Sequence, residues 1–383
     1  MNLLAFDPHD ARITLAHQRL LAAYSRTPGA VVPVVDPGPR GSGSAYTVLE
    51  CYQNLDHMLA NAVAWANGLA ATDNDWPPFI DTFCGVVMMA EVFGCPVVWD
   101  SDVAWTQPIL TDISQVWSLT PRPLADSPMI RRLSEWVDYA QRCLGDALPL
   151  WTMDVQSPFS VAAHLIDPQE LLIACITDPE AVHHLCRMIT DMSIAMMEQH
   201  LAQMTHPSFP GRNFPSISTP IGICIADDTP LIMLSPDMYR EFGIPYNAEI
   251  GAAFGGIHIH SCGDYRHNLD ALLETPGLRS IQLHAGVGEF ALPASADEDC
   301  AFNRARQQVT YFVDSGDIAA GQDYAGRAQA HYREYVLPRL VQDDLIGCVL
   351  QSCGVTPELP DADKALQWTR ETLAMQKGMR SPA

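Results

Sequence analysis

Short apolar runs alternate with amphipathic segments along most of the chain. Eight of these runs are rich in β-branched or aromatic residues and end at glycine, proline or polar residues, a pattern that predicts strands. The runs lie at residues 30–36, 79–83, 148–156, 221–226, 255–264, 280–284, 309–313 and 345–354. No internal repeat of fixed period accompanies them, so the pattern is that of a globular domain.

Between the runs, apolar residues recur at a spacing near 3.6, which predicts helices. The helical segments cover residues 9–26, 47–70, 128–144, 178–204, 235–254 and 361–375. Two of them begin with a capping side chain followed by proline, at Asp178-Pro179 and Ser235-Pro236, a combination typical of a first helical turn. Residues 94–125 hold four prolines without clear periodicity, and we interpret them as an elaborated connection.

Strands that alternate with helices predict a parallel sheet, and a count of eight predicts closure into a (β/α)8 TIM barrel of the α/β class. We therefore predict one barrel domain over residues 1–383, with an N-terminal helical extension at residues 1–29. The catalytic residues of such a barrel lie at the carboxyl ends of its strands.

Composition narrows the possible partners and the compartment. The 383 residues, 48% of them apolar, are enough for a large core, and a net charge of −23 disfavours nucleic acid and anionic membranes as partners. The longest apolar stretch, Trp76–Trp99, is interrupted by prolines and acidic residues, which argues against a membrane span. The scattered 11 cysteines and an N-terminus without a basic and apolar leader predict a reducing cytoplasm.

The fifth run carries the strongest candidate chemistry. Because successive side chains on a strand point to opposite faces, His258, His260 and Cys262 share one face. A second sulfur could come from Cys353 at the end of the eighth run. Cys348, five residues earlier and of opposite parity, is the competing ligand.

One nitrogen and two sulfurs form an established ligand set for catalytic zinc, which leaves a fourth position for substrate. Thiolate ligands also favour zinc over magnesium or manganese. His260, Cys262 and Cys353 are therefore the candidate zinc ligands. His258 is either a hydrogen-bonded support beneath the metal or a core histidine.

Other polar residues converge on the same predicted edge. They are Asp36, Asp81, Asp154 to Gln156, Asp227, Asp228, His284 and Asp314. Asp227 and Asp228 are the candidate catalytic groups, as residues that support the metal ligands or orient the substrate. The alternative for this pair is a solvated loop cap after the fourth strand.

The order of motifs resembles the uroporphyrinogen decarboxylase superfamily from about Val31 onwards. The resemblance lies in Asp227-Asp228, the segment 234–239 (LSPDMY), the segment 260–263 (HSCG) and Cys353-Gly354. Within that superfamily, a His-x-Cys pair with a distant cysteine resembles the zinc-dependent methyltransferase branch. That branch moves a methyl group between a corrinoid and a thiol such as coenzyme M, and it implies His260, Cys262 and Cys353 as zinc ligands.

One departure argues against decarboxylation. The decarboxylases carry an R-Q-A-G-R-Y motif after the first strand, where this chain has Val35-Asp36-Pro37-Gly38-Pro39-Arg40. The resemblance thus implies a methyltransferase that uses zinc, a small-molecule thiol or methylated substrate, and a corrinoid or corrinoid protein.

Two alternatives remain open from the sequence. A metal-free lyase would use the aspartates with Tyr265 or Arg266 around a polyacidic substrate. A non-catalytic protein with structural zinc would need a fourth ligand, for which His258 or His284 is available.

Overall fold

The computed structural model of the protein describes residues 3–35, 45–82, 84–100, 103–211, 213–284, 310–314 and 348–352, together with Arg370. Helices and short parallel strands alternate through these ranges, which confirms the predicted α/β class. No helix in the described part of the chain combines the length and apolar character needed to cross a membrane.

The described helices occupy most of the predicted helical segments. They are α1 (Ala11–Tyr24), α2 (Val48–Gln53), α3 (Leu55–Ala71), α4 (Met88–Val92), α5 (Pro128–Leu144), α6 (Pro158–Leu165), α7 (Pro168–Thr177), α8 (Pro179–Gln203), α9 (Asp228–Met233), α10 (Pro236–Phe242), α11 (Ile244–Ala253) and α12 (Leu269–Leu273). The predicted helix at residues 361–375 lies outside the described residues, Arg370 excepted.

Two predicted helices are each split in the structure, and the physical reason is local. The segment 47–70 breaks at Asn54, because the side chain of Asn54 accepts a hydrogen bond from the Asp56 N–H and starts α3. The segment 235–254 breaks at Gly243, between α10 and α11. The apolar period runs through both breaks, so periodicity alone does not detect them.

Within the described ranges, six strands form one parallel sheet. In spatial order these are β1 (Val31–Val35), β10 (Cys348–Ser352), β9 (Thr310–Asp314), β8 (Leu278–His284), β7 (Ile257–His260) and β6 (Ile223–Ala226). All neighbouring pairs are parallel, so the carboxyl ends of these strands meet at one edge.

Shorter pairings continue the sheet beyond β6. Parallel bridges join Gln156 to Ala226 and Ile80 to Leu150, and β4 (Leu150–Trp151) pairs in parallel with β5 (Pro207–Ser208). Each of the eight predicted strand segments therefore takes part in β-pairing. Pairing between β1 and the segment near Ile80 is not seen within the described ranges, and closure into a barrel stays a prediction.

The connection at residues 94–125 contains its own small structure. An antiparallel hairpin pairs β2 (Val97–Asp100) with β3 (Val103–Thr106), and two 3-10 turns follow at Ile113–Ser118 and Leu124–Asp126. The buried carboxylate of Glu91 accepts hydrogen bonds from the Arg122 guanidinium and the Ser127 hydroxyl. These contacts tie the end of the connection to α4 and α5.

An aromatic cluster fills the space at the amino-terminal half of the sheet. Its largest members are Tyr24, Trp76, Phe79, Trp151 and Phe214, all buried, and the Phe79 and Trp151 rings lie 4.2 Å apart. The Tyr24 hydroxyl donates to the carbonyl of Pro215, so α1 is fixed against this cluster. Apolar packing thus occupies one end of the sheet and leaves the carboxyl edge to polar residues.

Candidate metal centre

The candidate centre lies where two neighbouring strands end together. Ala226, the last residue of β6, pairs with His260, the last residue of β7. Asp227 and Asp228 therefore leave the sheet beside Ser261 and Cys262. The register of a parallel pair, rather than nearness in sequence, brings these groups to one place.

Asp228, His260 and Cys262 form a cluster that fits a metal ion. A carboxylate oxygen, an imidazole nitrogen and the thiol sulfur all lie within 4.8 Å of one another. The His260 Nε2 and Cys262 Sγ atoms are 3.1 Å apart. Zinc bonds of 2.0–2.3 Å place tetrahedral ligand atoms about 3.5 Å apart, so small adjustments would seat the ion.

The surroundings of the cluster hold it in place and open it to solvent. The Cys262 N–H donates to Asp228 Oδ1, which fixes the turn after β7 against the start of α9. His260 is buried, Asp228 is half-buried and Cys262 is exposed. The protein therefore holds the nitrogen ligand rigidly and leaves the sulfur accessible.

Gln282 contacts the cluster and was not predicted from the sequence. Its side-chain oxygen hydrogen-bonds to Nδ1 of His260. Its backbone carbonyl accepts a hydrogen bond from the Tyr265 hydroxyl. Gln282 is itself buried. Gln282 follows Ser280 by two residues, so the two side chains share one face of β8. This spacing points to the site only once the register between β7 and β8 is known.

His258 lies in the aromatic cluster and not in the metal cluster. Its Nδ1 contacts the Ser280 hydroxyl, its Nε2 lies 2.8 Å from the Ile221 carbonyl oxygen, and its ring packs 5.4 Å from Tyr24 and 5.7 Å from Phe214. Burial lowers the pKa of His258 to about 3. These contacts agree with the core-histidine interpretation and do not place His258 as a fourth ligand.

Asp227 is fully buried, so the solvated-cap alternative does not hold for it. Its Oδ2 accepts hydrogen bonds from the Tyr239 hydroxyl at 2.7 Å and from Asn247 Nδ2 at 2.8 Å. Its N–H donates to the His260 carbonyl at 2.8 Å. Burial raises the pKa of Asp227 to about 6, against the opposing hydrogen bonds of Ser157, Tyr239 and Asn247.

Asp227 therefore links the strand that carries His260 to α10 and α11. Tyr239 and Asn247, which hold its carboxylate, were not predicted as site residues. Tyr239 belongs to the LSPDMY segment of the family resemblance, but the motif did not indicate its contact with Asp227.

The second predicted sulfur ligand, Cys353, lies outside the described residues, as does Asp36. The backbone of β10 nevertheless separates the two cysteine candidates, because Cys348 begins this strand opposite Val31 and Ser352 ends it opposite Val35. Four residues of strand place Cys348 about 13 Å from the carboxyl edge. This favours Cys353, which directly follows Ser352. His284 and Asp314 are the last residues of β8 and β9.

The residues of the lyase alternative are engaged by the protein itself. Tyr265 is buried with its hydroxyl on the Gln282 carbonyl. The Nε of Arg266 lies 3.0 Å from both carboxylate oxygens of Asp264. Of the other predicted edge carboxylates, Asp154 is buried and accepts a 2.8 Å hydrogen bond from Gln156.

Known proteins resemble this chain in both sequence and fold. Residues 18–204 match the sequence model of the uroporphyrinogen decarboxylase (URO-D) family. The methylated-thiol–coenzyme M methyltransferase of Methanosarcina mazei is 26% identical over 211 residues, which are 54% of this chain and 51% of that protein. The match thus spans about half the length of this curated relative.

A solved structure extends the likeness of fold to almost the whole chain. It is a methyltransferase from Methanosarcina mazei with a TM-score of 0.63, covering 95% of this chain and 98% of its own. The identity is 16%, so this match concerns the fold alone.

Proposed function

We propose that this chain is a zinc-dependent methyltransferase of the uroporphyrinogen decarboxylase superfamily, whose family model its residues 18–204 match. Its reaction would move a methyl group between a corrinoid and a thiol. The observation that carries the proposal is the Asp228, His260 and Cys262 cluster at the carboxyl edge of the sheet. The name of the Methanosarcina mazei sequence relative supports the reaction class.

The proposed zinc ligands are His260, Cys262 and Cys353. The first two are adjacent at this edge, and Cys353 follows the carboxyl end of β10 in the same sheet. One nitrogen and two sulfurs suit zinc better than the oxygen-preferring ions. When bound, zinc would supply the Lewis acidity that lowers the pKa of a thiol.

Asp228 has the position of a group that orients the thiol and accepts its proton. One of its carboxylate oxygens holds the Cys262 N–H, and the residue is half-buried beside the candidate ligands. Asp227 keeps its carboxylate in the interior, where it fixes α10 and α11 and, through its N–H, the end of β7.

The substrates are proposed by analogy with the relatives. The name of the Methanosarcina relative gives methylated thiols and coenzyme M as its substrates. We therefore propose a small thiol or a methylated thiol as substrate for this chain. The corrinoid, free or protein-bound, follows from the superfamily branch that the motifs resemble.

Elemental analysis of purified variants tests the metal site. We expect about one zinc per chain, lost in Cys262→Ser and Cys353→Ser and retained in Cys348→Ser, which is the matched control. Retention of zinc in both of the first two variants would refute the ligand assignment. Loss in Cys348→Ser with retention in Cys353→Ser would transfer the third ligand to Cys348.

A methyl-transfer assay tests the reaction. Methylcobalamin is incubated with candidate thiols and the protein, and a zinc K-edge spectrum is recorded with and without thiol. We expect thiol-dependent loss of methylcobalamin and a new sulfur neighbour at about 2.3 Å from zinc. Activity towards a carboxylated substrate that survives complete zinc removal would instead favour the lyase.

A further inference from the structure

Strand β8 contacts both histidines of β7 through its own polar side chains. Ser280 contacts His258, and Gln282 contacts His260. Both partners are buried, and the two-residue spacing keeps them on one face of β8. Each histidine therefore has its own polar partner on β8. One partner is a hydroxyl and the other is an amide.

The contacts of His258 define its tautomer. A backbone carbonyl can only accept, so the 2.8 Å contact with the Ile221 oxygen requires a proton on Nε2 of His258. The neutral ring then accepts at Nδ1 from the Ser280 hydroxyl, which is able to donate. His258 is thus held as the Nε2–H form, with both ring nitrogens used.

The contacts of His260 define the opposite tautomer. The side-chain oxygen of Gln282 can only accept, so Nδ1 of His260 carries the proton. The unprotonated nitrogen is then Nε2, which lies 3.1 Å from Cys262 Sγ. This is the nitrogen that a metal shared with Cys262 and Asp228 would require.

We propose that Gln282 is a positioning residue that holds His260 in the Nδ1–H tautomer with Nε2 directed to the metal. Ser280 and Ile221 hold His258 in the opposite tautomer and keep it out of the ligand set. The role of Gln282 towards zinc rests on the proposed function, whereas the two tautomers do not. An amide also fixes the ring without adding a further negative charge beside Asp228 and Cys262.

Nitrogen-15 NMR of histidine-labelled, metal-free protein tests the tautomers directly. The resonances are assigned by their loss in His258→Asn and His260→Asn. We expect a protonated Nδ1 in His260 and a protonated Nε2 in His258. A protonated Nε2 with an unprotonated Nδ1 in His260 would mean that the Gln282 amide is turned to donate. Protonation of both nitrogens would mean that the ring is charged and has no nitrogen directed to the metal. Either result would overturn the proposal.

Matched variants test the positioning role. Gln282→Met keeps the volume but removes the acceptor, and we expect about a 10- to 100-fold weaker zinc affinity in chelator competition. Gln282→Glu keeps an acceptor and should retain both the Nδ1–H tautomer and the affinity. Ser280→Ala, which changes only the partner of His258, should leave zinc affinity unchanged.

The outcomes separate this inference from the proposed function. Equal zinc affinity in wild type and folded Gln282→Met, or an equal loss in Ser280→Ala, would overturn the positioning role. A wild-type chain that binds no zinc would count against the proposed function, and the NMR result would still decide the tautomer of His260. Circular dichroism identifies any variant that fails to fold. If Gln282→Met does so, loss of the Nδ1–H tautomer or of zinc affinity in folded Gln282→Glu would overturn the positioning role.

Discussion

Two histidines on one strand face show how differently the two ends of the sheet are built. His258 lies among the rings of Tyr24 and Phe214, with both nitrogens bonded to neighbours in the interior. His260, two residues later, has one nitrogen on Gln282 and the other beside the exposed Cys262. The residue type is the same, so the neighbours of each ring decide which histidine is structural and which is available for chemistry.

The comparison also separates where stability and function lie. The amino-terminal half of the sheet is filled by aromatic side chains that are fully buried. The carboxyl edge has buried carboxylates and a solvent-exposed thiol, which add little apolar burial. Substitutions at the first end should therefore change the free energy of unfolding, and substitutions at the second should mainly change metal and substrate binding.

The largest effect is expected at Tyr24. Tyr24→Ala removes a buried ring and its hydrogen bond to Pro215, and we expect the free energy of unfolding to fall by about 3–5 kcal/mol. Tyr24→Phe removes only the hydroxyl and should cost about 1 kcal/mol. Urea unfolding followed by tryptophan fluorescence measures both.

Zinc content is the control for these Tyr24 variants. It should be unchanged in each, because Tyr24 packs against His258 and not against His260. Loss of zinc in Tyr24→Phe would show that the two ends of the sheet are not separable.

A smaller effect is expected at His258. His258→Gln disturbs the bonds to Ser280 and Ile221, and we expect a loss of about 1–3 kcal/mol. His260→Gln should cost less stability in metal-free protein while it removes zinc. Equal loss of zinc in the two variants would contradict the comparison.

The same residue predicts a dependence on pH. The unfolded chain binds a proton on His258 near pH 6.5, which the folded state excludes until about pH 3. The folded pKa is thus the lower one, so this contribution to stability is complete above pH 6.5 and is lost as the pH falls towards 3. Between these values, the free energy of unfolding of wild type should rise with pH more steeply than that of His258→Gln. The difference in slope should correspond to about one bound proton.

Much of the fold follows from sequence because strands and helices are local patterns. All eight apolar runs take part in β-pairing, and the helix at residues 128–144 has the predicted bounds. The second strand is reduced to a bridge at Ile80, and the hairpin at residues 97–106 was not predicted. Its outward side chains Val98, Val103 and Trp105 are apolar, so no polar alternation marks it.

The candidate site was predictable only in part, for a reason of geometry. Residues two apart on a strand point to the same face, so the sequence alone indicated that His260 and Cys262 lie together. Gln282 reaches His260 through cross-strand register, and Asn247 reaches Asp227 from a helix 20 residues away. Such partners depend on tertiary structure, which no short window of sequence contains.

The smallest effect on stability is expected at Asp228. Asp228→Asn keeps a side-chain oxygen for the Cys262 N–H, and the residue is half-buried, so we expect unfolding to change by no more than about 0.5 kcal/mol. The variant has no carboxylate to take the proton of a thiol, and methyl transfer should therefore fall by about 10²–10⁴-fold, the range of a lost acid–base group.

Asp228→Ala serves as the paired variant, since it also removes the acceptor for Cys262. It should lose the same activity and, in addition, some zinc affinity, because the turn after β7 is then held less firmly. Calorimetry, chelator competition and the methylcobalamin assay on both variants separate the two roles. Full activity in Asp228→Asn would assign Asp228 to the turn alone. A stability loss as large as that of Tyr24→Ala would show that the carboxyl edge, like the amino-terminal half, is part of what holds the fold together.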